Sequence, residues 1–562
     1  MKNLRFPIRF SFICSLLLGA FTAVAQTLPS GPQVLTFHSS VDDTEQPYGL
    51  YLPENYDPAR QYPLVMMLHG AGSNHRLALR RVFGKSNAKG ETDVEASRYF
   101  PNWKAVDYIV ASPLARGTMG YQGIAEKDVL DVLADVQERF SVDENRTYLT
   151  GLSMGGGGTL WLGLSHPHIW AAIAPVCPAP PPMAADLAGN ALNIPVKIFQ
   201  GGADPVVSAA SVQEWVERFE AQQVEVEYVE YPGVGHDSWV PAYADGTIFE
   251  WFSQYERDDD PEHVRFSTYD YEHAESFWVR INAITPGELA FIEAEFTAKN
   301  KIEVRTRNVE SFTLTLKGHP FFDPNGRTRF NVDGRIYQTA TRLQKLNMVK
   351  TEAGWKMGAY RPEGLYKKKG QEGPMLRTIS DRHVYVYGTA DKPTEEVLAQ
   401  RRAQAEQAAY WSLYRGEFLG RIMVFPRVLS DRQVRPSDFE SANLILFGDR
   451  QTNSVIERFA DDLPLELAAE SEGHGLALVY PQGDRLILVN SGRSIMEAPH
   501  PPEAPEGLNW LGLPAMFRLA LYQDFVLFDE DKVLVNGLFD QQWQIPGEAR
   551  ETLRKSGVVK LK

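Results

Sequence analysis

From residue 34 to about 257, short apolar runs of strand length alternate with stretches of helical periodicity. This rhythm restricts the fold more than any other feature of the chain. The runs include PLVMMLHG (63–70), DYIVASP (107–113), RTYLTG (146–151), AAIAPV (171–176), PVKIFQGG (195–202) and VEVEYVEYP (224–232). Most are close to continuous in apolar residues, as expected of strands buried on both faces. Between them, AEKDVLDVLADVQERF (125–140) sets Val129, Leu130, Leu133, Val136 and Phe140 on one helical face. The pattern predicts a doubly wound α/β domain over 34–257, with a mostly parallel sheet covered by helices. VLTFHSS and YGLYLP open it as an antiparallel pair.

The chain has 562 residues, too many for one core, and three or four domains are expected. Acidic ERDDDPEH (256–263) reads as a linker. Period-2 segments such as FWVRINAIT, KIEVRTRNV and SFTLTLKG follow, predicting a β-rich, sandwich-like domain over 264–365. Basic YKKKGQEGP (366–374) is a further loop, and from 375 to 562 the βα rhythm returns as a second, smaller α/β module. A net charge of −15 lacks the basic footprint of a general nucleic-acid binder. The first 25 residues carry Lys2, Arg5 and Arg9, then an apolar stretch ending Ala23-Val24-Ala25. That is the layout of a cleaved secretory signal peptide, too short in its apolar part to remain as a membrane anchor. Export to the periplasm or the medium is expected, with Cys14 removed and Cys177 left alone. One cysteine supports neither an internal disulfide nor a Cys/His zinc pattern. No cofactor or metal is expected.

Gly151-Leu152-Ser153-Met154-Gly155 is a G-x-S-x-G at the junction of an apolar strand and a helix. In that setting it reads as a nucleophile elbow, a tight turn that exposes the serine hydroxyl. A phosphate-binding loop is excluded, because the required Gly-Lys-Ser/Thr is absent. Gly156 fits close packing at the helix start; for Gly157 and Gly158 the sequence offers only a close approach of helix to sheet. A serine nucleophile needs a base, and the base needs an orienting carboxylate. On an elbow of this kind these follow the serine in the order acid, then histidine. Asp204, in IFQGGADPVV, and His236, in VEYPGVGHDSW, both lie just past the ends of predicted strands. Singly, Asp204 reads equally as a turn residue and His236 as a loop histidine. Their order after Ser153, all at carboxyl ends of strands, singles them out. His166 and His168 read as a helix end, and Asp237 as structural. The oxyanion donors are expected to be the N–H groups of Met154 and of Ala71 in HGAGSNH, with Gly70 the alternative to Ala71.

LHGAG, GLSMGG, GGADPVV and GVGHDSW together resemble exported carboxylesterases akin to esterase D, feruloyl esterases and polyhydroxybutyrate depolymerases. These belong to the α/β-hydrolase superfamily, which also includes the catalytic domains of prolyl oligopeptidases. The likeness spans roughly residues 34–255 and implies an acyl-enzyme mechanism on a small-molecule or polysaccharide-linked ester, carbohydrate-borne acyl groups being one candidate. Arg116 is the arginine singled out for an acidic or hydroxylated part of the substrate, with Tyr121 beside it; plain ion pairing is the competing reading. Trp239 either walls the acyl pocket or simply packs. Two other functions stay open. One is a peptidase of the prolyl oligopeptidase type, although no propeller-like repeat precedes the hydrolase region. The other is binding of glycans or partners through the later domains, where Trp278, Trp355 and Tyr360 either form a platform or, as the preferred reading, pack in a core.

Overall fold

The computed structural model describes residues 29–339, 343–411, 422–468, 471–501 and 518–562. Residues 1–25, expected to be a signal peptide, lie outside the described residues. The first domain runs β1 (Gly31–Ser39), β2 (Thr44–Leu52), β3 (Tyr62–Leu68), α1 (His75–Val82), α2 (Asp93–Ala96), β4 (Ile109–Pro113), α3 (Ile124–Arg139) and β5 (Val142–Leu152). It continues through α4 (Met154–Ser165), β6 (Ala172–Val176), β7 (Val196–Gly201), α5 (Ala209–Ala221), β8 (Val226–Tyr231), α6 (Trp239–Ala242) and α7 (Thr247–Phe252). The eight strands form one sheet in the order β1-β2-β4-β3-β5-β6-β7-β8. β1, β2 and β4 pair antiparallel, and β4, β3, β5, β6, β7 and β8 are mutually parallel.

Both faces of the sheet's central strands are dry. Along β3, Leu64, Met66 and Leu68 enter the core on one side, and Val65 and Met67 the core on the other. Burying each such side chain contributes about 1.5–3 kcal/mol, which is why the strand sequence is continuous rather than alternating. α3 departs from the sequence expectation at one position: Val129, Leu133, Val136 and Phe140 are buried, but Leu130 is only half-buried and lines a cavity. Val132 takes its place in the core.

Beyond residue 262 come two five-stranded sheets. One has the order Glu275–Ser276, Val279–Ile284, Val309–Thr315, Lys345–Thr351, Gly354–Met357; the other Arg335–Gln338, Arg329–Val332, Lys301–Arg307, Ala290–Ala298, His263–Thr268. Trp278 and Trp355 are buried among the apolar side chains of this region, so neither offers a glycan platform. The last sheet has seven strands, in the order Arg427–Ser430, His383–Tyr387, Asn443–Phe447, Arg485–Gly492, Gly475–Gln482, Phe525–Phe528, Val533–Gly537. Its first four strands are parallel and the rest antiparallel. Val41 and Ile124 of the first domain share a core with Met375, Ile379, Tyr385 and Trp411. A bridge pairs Gly117 with Ile422. The loop after β4 is therefore enclosed between two domains.

Among the described residues, no helix is long and apolar enough to cross a membrane.

Candidate active site

β5 lies mid-sheet and ends at Leu152, so the next residue projects from the carboxyl edge where open α/β sheets bind ligands. That residue, Ser153, has φ 55° and ψ −116°. A non-glycine residue held there costs on the order of 1–3 kcal/mol. The surroundings hold it: Ser153 N–H donates to the Val176 carbonyl at 2.9 Å, and its own carbonyl accepts from Gly157 (2.9 Å) and Ala179 (3.2 Å).

The four glycines now have separate reasons. A Cβ at Gly155 would lie 2.3 Å from the Leu68 carbonyl oxygen, at Gly156 2.4 Å from that of Val176, and at Gly157 2.1 Å from that of Ala179. At Gly158 it would lie 2.4 Å from the Tyr121 ring. The first turn of α4 is thus wedged between the ends of β3 and β6, the chain after β6, and one aromatic ring.

His236, in the loop after β8, faces Ser153 Oγ with Nε2 at 2.9 Å and Asp204 Oδ2 with Nδ1 at 2.8 Å. The Asp204 carboxylate only accepts, so Nδ1 carries the proton and Nε2 presents its lone pair to the hydroxyl. Asp204 Oδ1 accepts from the backbone N–H groups of Val206 (2.8 Å) and Val207 (3.0 Å). Burial pushes the Asp204 carboxyl up, but the bonds from His236 and these two amides outweigh it and hold it below its ordinary range. Cys177 Sγ contacts the His236 carbonyl at 3.5 Å. Burial raises this thiol to about 12, so it stays a neutral neighbour rather than a competing nucleophile.

Met154 opens α4, so its N–H has no intrahelical partner and sits at the positive end of the helix dipole. The loop after β3 passes beside the serine, and a Cβ at Gly70 would lie 3.6 Å from Ser153 Cβ. In that loop, Gly72 N–H is taken by Thr118 Oγ1 and Ser73 N–H by the Gly70 carbonyl, while Ala71 is exposed.

Two expected substrate contacts are elsewhere. Arg116 is fully buried, with Nε on Asp128 and Nη1 on Asp42, each at 2.7 Å. Its guanidinium is turned inward onto two buried carboxylates, the ion pairing that the sequence offers beside substrate contact. Tyr121 is also buried: its ring packs on Gly158 and its hydroxyl donates to the His69 carbonyl at 2.9 Å. It pins the start of the loop after β3. Trp239 does stand at the site, edge-on to the His236 ring at 5.6 Å.

Arg81 stands with Arg76 and Arg80 in SNHRLALRR, the arginines that the sequence offers beside Arg116 for substrate contact. Its guanidinium lies 5.4 Å from the centroid of the Trp239 ring, with Nη1 3.4 Å from Ser73 Oγ and Nη2 3.2 Å from Asp93. It joins the loop after β3 to Trp239, which opens α6 just past His236. Nothing in its local sequence distinguished it from Arg76 and Arg80.

Residues 39–248 match the family model Esterase, described as "Putative esterase". Feruloyl esterase D of Neurospora crassa is 26% identical over 222 residues, 38% of this chain and 74% of that protein. A Salmonella typhimurium protein named "Putative carboxymethylenebutenolidase" is 31% identical over 144 residues, 22% of this chain and 53% of its own length. Among solved structures, a ferulic acid esterase from Anaeromyces mucronatus in complex with ferulic acid is 19% identical, with a TM-score of 0.31. That similarity covers 40% of this chain and 90% of the other.

Proposed function

We propose that this chain, whose residues 39–248 match the Esterase family model, is a carboxylesterase-like serine hydrolase of the α/β-hydrolase superfamily that cleaves carboxylic esters through an acyl-enzyme on Ser153. Ser153 Oγ attacks the ester carbonyl as its proton passes to His236 Nε2. Asp204 holds the imidazole and balances the charge it gains. The N–H groups of Met154 and Ala71 stabilise the oxyanion. Collapse expels the alcohol with the proton from His236; water, deprotonated by the same imidazole, then releases the acid. One observation carries this reading. The hydroxyl, imidazole and carboxylate form a continuous hydrogen-bonded chain at 2.9 and 2.8 Å, with the serine on an elbow that only a set of close glycine contacts permits.

For the acyl group we propose aromatic or acetyl esters borne on carbohydrate. Support comes from the feruloyl esterase relative and from Trp239, a flat apolar surface beside the base. Export, resting on the pattern of residues 1–25, belongs to the same proposal.

The test is labelling by a fluorophosphonate probe, wild type against Ser153→Ala, followed by turnover of acetyl, feruloyl and proline–nitroanilide substrates. Labelling lost in the variant, with ester turnover dominant, is expected. Labelling that survives the substitution would remove the site. Amide cleavage with little ester turnover would transfer the function to the peptidase type.

A further inference from the structure

Three residues far apart in sequence meet where the first domain touches the β-rich domain. Glu126 lies in the first turn of α3, His166 caps the C-terminus of α4, and His273 follows the strand His263–Thr268. Their side chains are 8%, 12% and 5% exposed. Both imidazoles direct Nε2 at the same atom, Glu126 Oε1, at 2.7 Å from His166 and 2.6 Å from His273. The two rings are 5.1 Å apart and inclined at 70°, so they converge from different directions.

We propose that Glu126, His166 and His273 form a binding site for a divalent transition-metal ion of the zinc class, tying the hydrolase domain to the β-rich domain. The donor set, two imidazole nitrogens and one carboxylate oxygen, is one that zinc takes with a position left for water. One ligand atom from each residue lies within 4.8 Å of the others. Metal–ligand distances near 2.0–2.1 Å at tetrahedral angles separate ligands by about 3.3 Å. Each contact would open by well under an ångström.

The groups behind the ligands are of the kind that orient metal sites. Asp270 accepts from His273 Nδ1 at 2.9 and 3.1 Å, which reserves Nε2 for the ion. Trp161 Nε1 donates to Glu126 Oε2 at 2.7 Å and fixes the carboxylate. Access comes from a cavity of about 400 Å³ between the domains, whose walls include Glu126, Lys127, Glu372 and Arg377.

The experiment uses the full chain, stripped by a chelator and titrated with Zn²⁺ by calorimetry and with Co²⁺ by its visible absorption. A single equivalent is expected, with intense bands of four-coordinate Co²⁺ and a thermal midpoint that rises with Zn²⁺. His166→Gln should weaken binding at least tenfold, and Asp270→Asn by about 10–100-fold. Ser153→Ala should bind as the wild type does, which separates this proposal from the esterase reading. Absence of binding by the folded wild type would overturn it. So would binding that is unchanged in His166→Gln but lost in His236→Ala, because Cys177, Asp204 and His236 form a second close donor group.

Discussion

Arg116 offers the sharpest test of the structure, because substrate contact and buried ion pairing, the two roles the sequence offers it, predict opposite outcomes. Replacing it with methionine keeps much of the side-chain volume and removes the charge. The guanidinium holds Asp42 and Asp128, both 1% exposed, and also donates to Ser39 Oγ at 2.6 Å and the Met423 carbonyl at 3.2 Å. Removing one partner of a buried pair costs about 3–5 kcal/mol, because the other is left as an uncompensated charge. Here two carboxylates are stranded, so the loss should reach at least that range, a large share of a typical 5–15 kcal/mol. The sign with pH follows from Asp128. Burial raises it to about 6 even though Arg116 pulls it down, and without Arg116 it must rise further. A group raised in the folded state is relieved by protonation, so the deficit of Arg116→Met should shrink from pH 8 to pH 5. Adding Asp128→Asn should recover part of it at pH 8. Urea unfolding followed by tryptophan fluorescence at both pH values measures these quantities, alongside ester turnover below the transition. A variant with an unchanged unfolding midpoint and a raised KM confined to acidic esters would refute the reasoning and restore the substrate role.

Asp204→Asn should lower kcat on a nitrophenyl ester by about 10⁴-fold, since an amide facing Nδ1 favours the wrong imidazole tautomer; retention within tenfold would exclude Asp204 as the orienting acid. Gly158→Ala places a methyl 2.4 Å from the Tyr121 ring, and overpacking of this kind should cost about 1–3 kcal/mol, read as a lower thermal midpoint. An unchanged midpoint would show that Tyr121 yields freely. Burial pushes Glu293 up, but bonds from Arg305, Arg265 and His263 hold it at about 2, against an ordinary 4.5. Its contribution is therefore fully present above pH 4.5 and lost as the pH falls towards 2. Glu293→Gln should destabilise the chain at pH 7 and flatten the acid-side decline, as followed by circular dichroism.

What could be read from the sequence divides by the distance over which each constraint acts. The apolar runs of β3, β4, β5 and β6 announce burial on both faces because each strand carries its own pattern. Ser153, Asp204 and His236 are legible for a related reason: each sits at a strand end marked by its own flanking residues, and the sheet brings those ends together. Arg116 has no such local mark. Its burial depends on Asp42, 74 residues earlier, and on the Met423 carbonyl, 307 residues later. The glycines around Ser153 show both cases within eight residues. Gly151 and Gly155 follow from the elbow itself. Gly157 needs the Ala179 carbonyl and Gly158 the ring of Tyr121, neither of which the run announces. Glu126, His166 and His273 are an extreme instance. Read along the chain they are a helix-face carboxylate, a helix-end histidine and a loop histidine; only domain packing points both imidazoles at one oxygen. The geometry of the proposed site is thus encoded strand by strand, whereas the groups that join separate sheets are encoded in pairs of distant residues. Substitutions at the second kind should therefore alter stability and domain coupling before they alter ester chemistry.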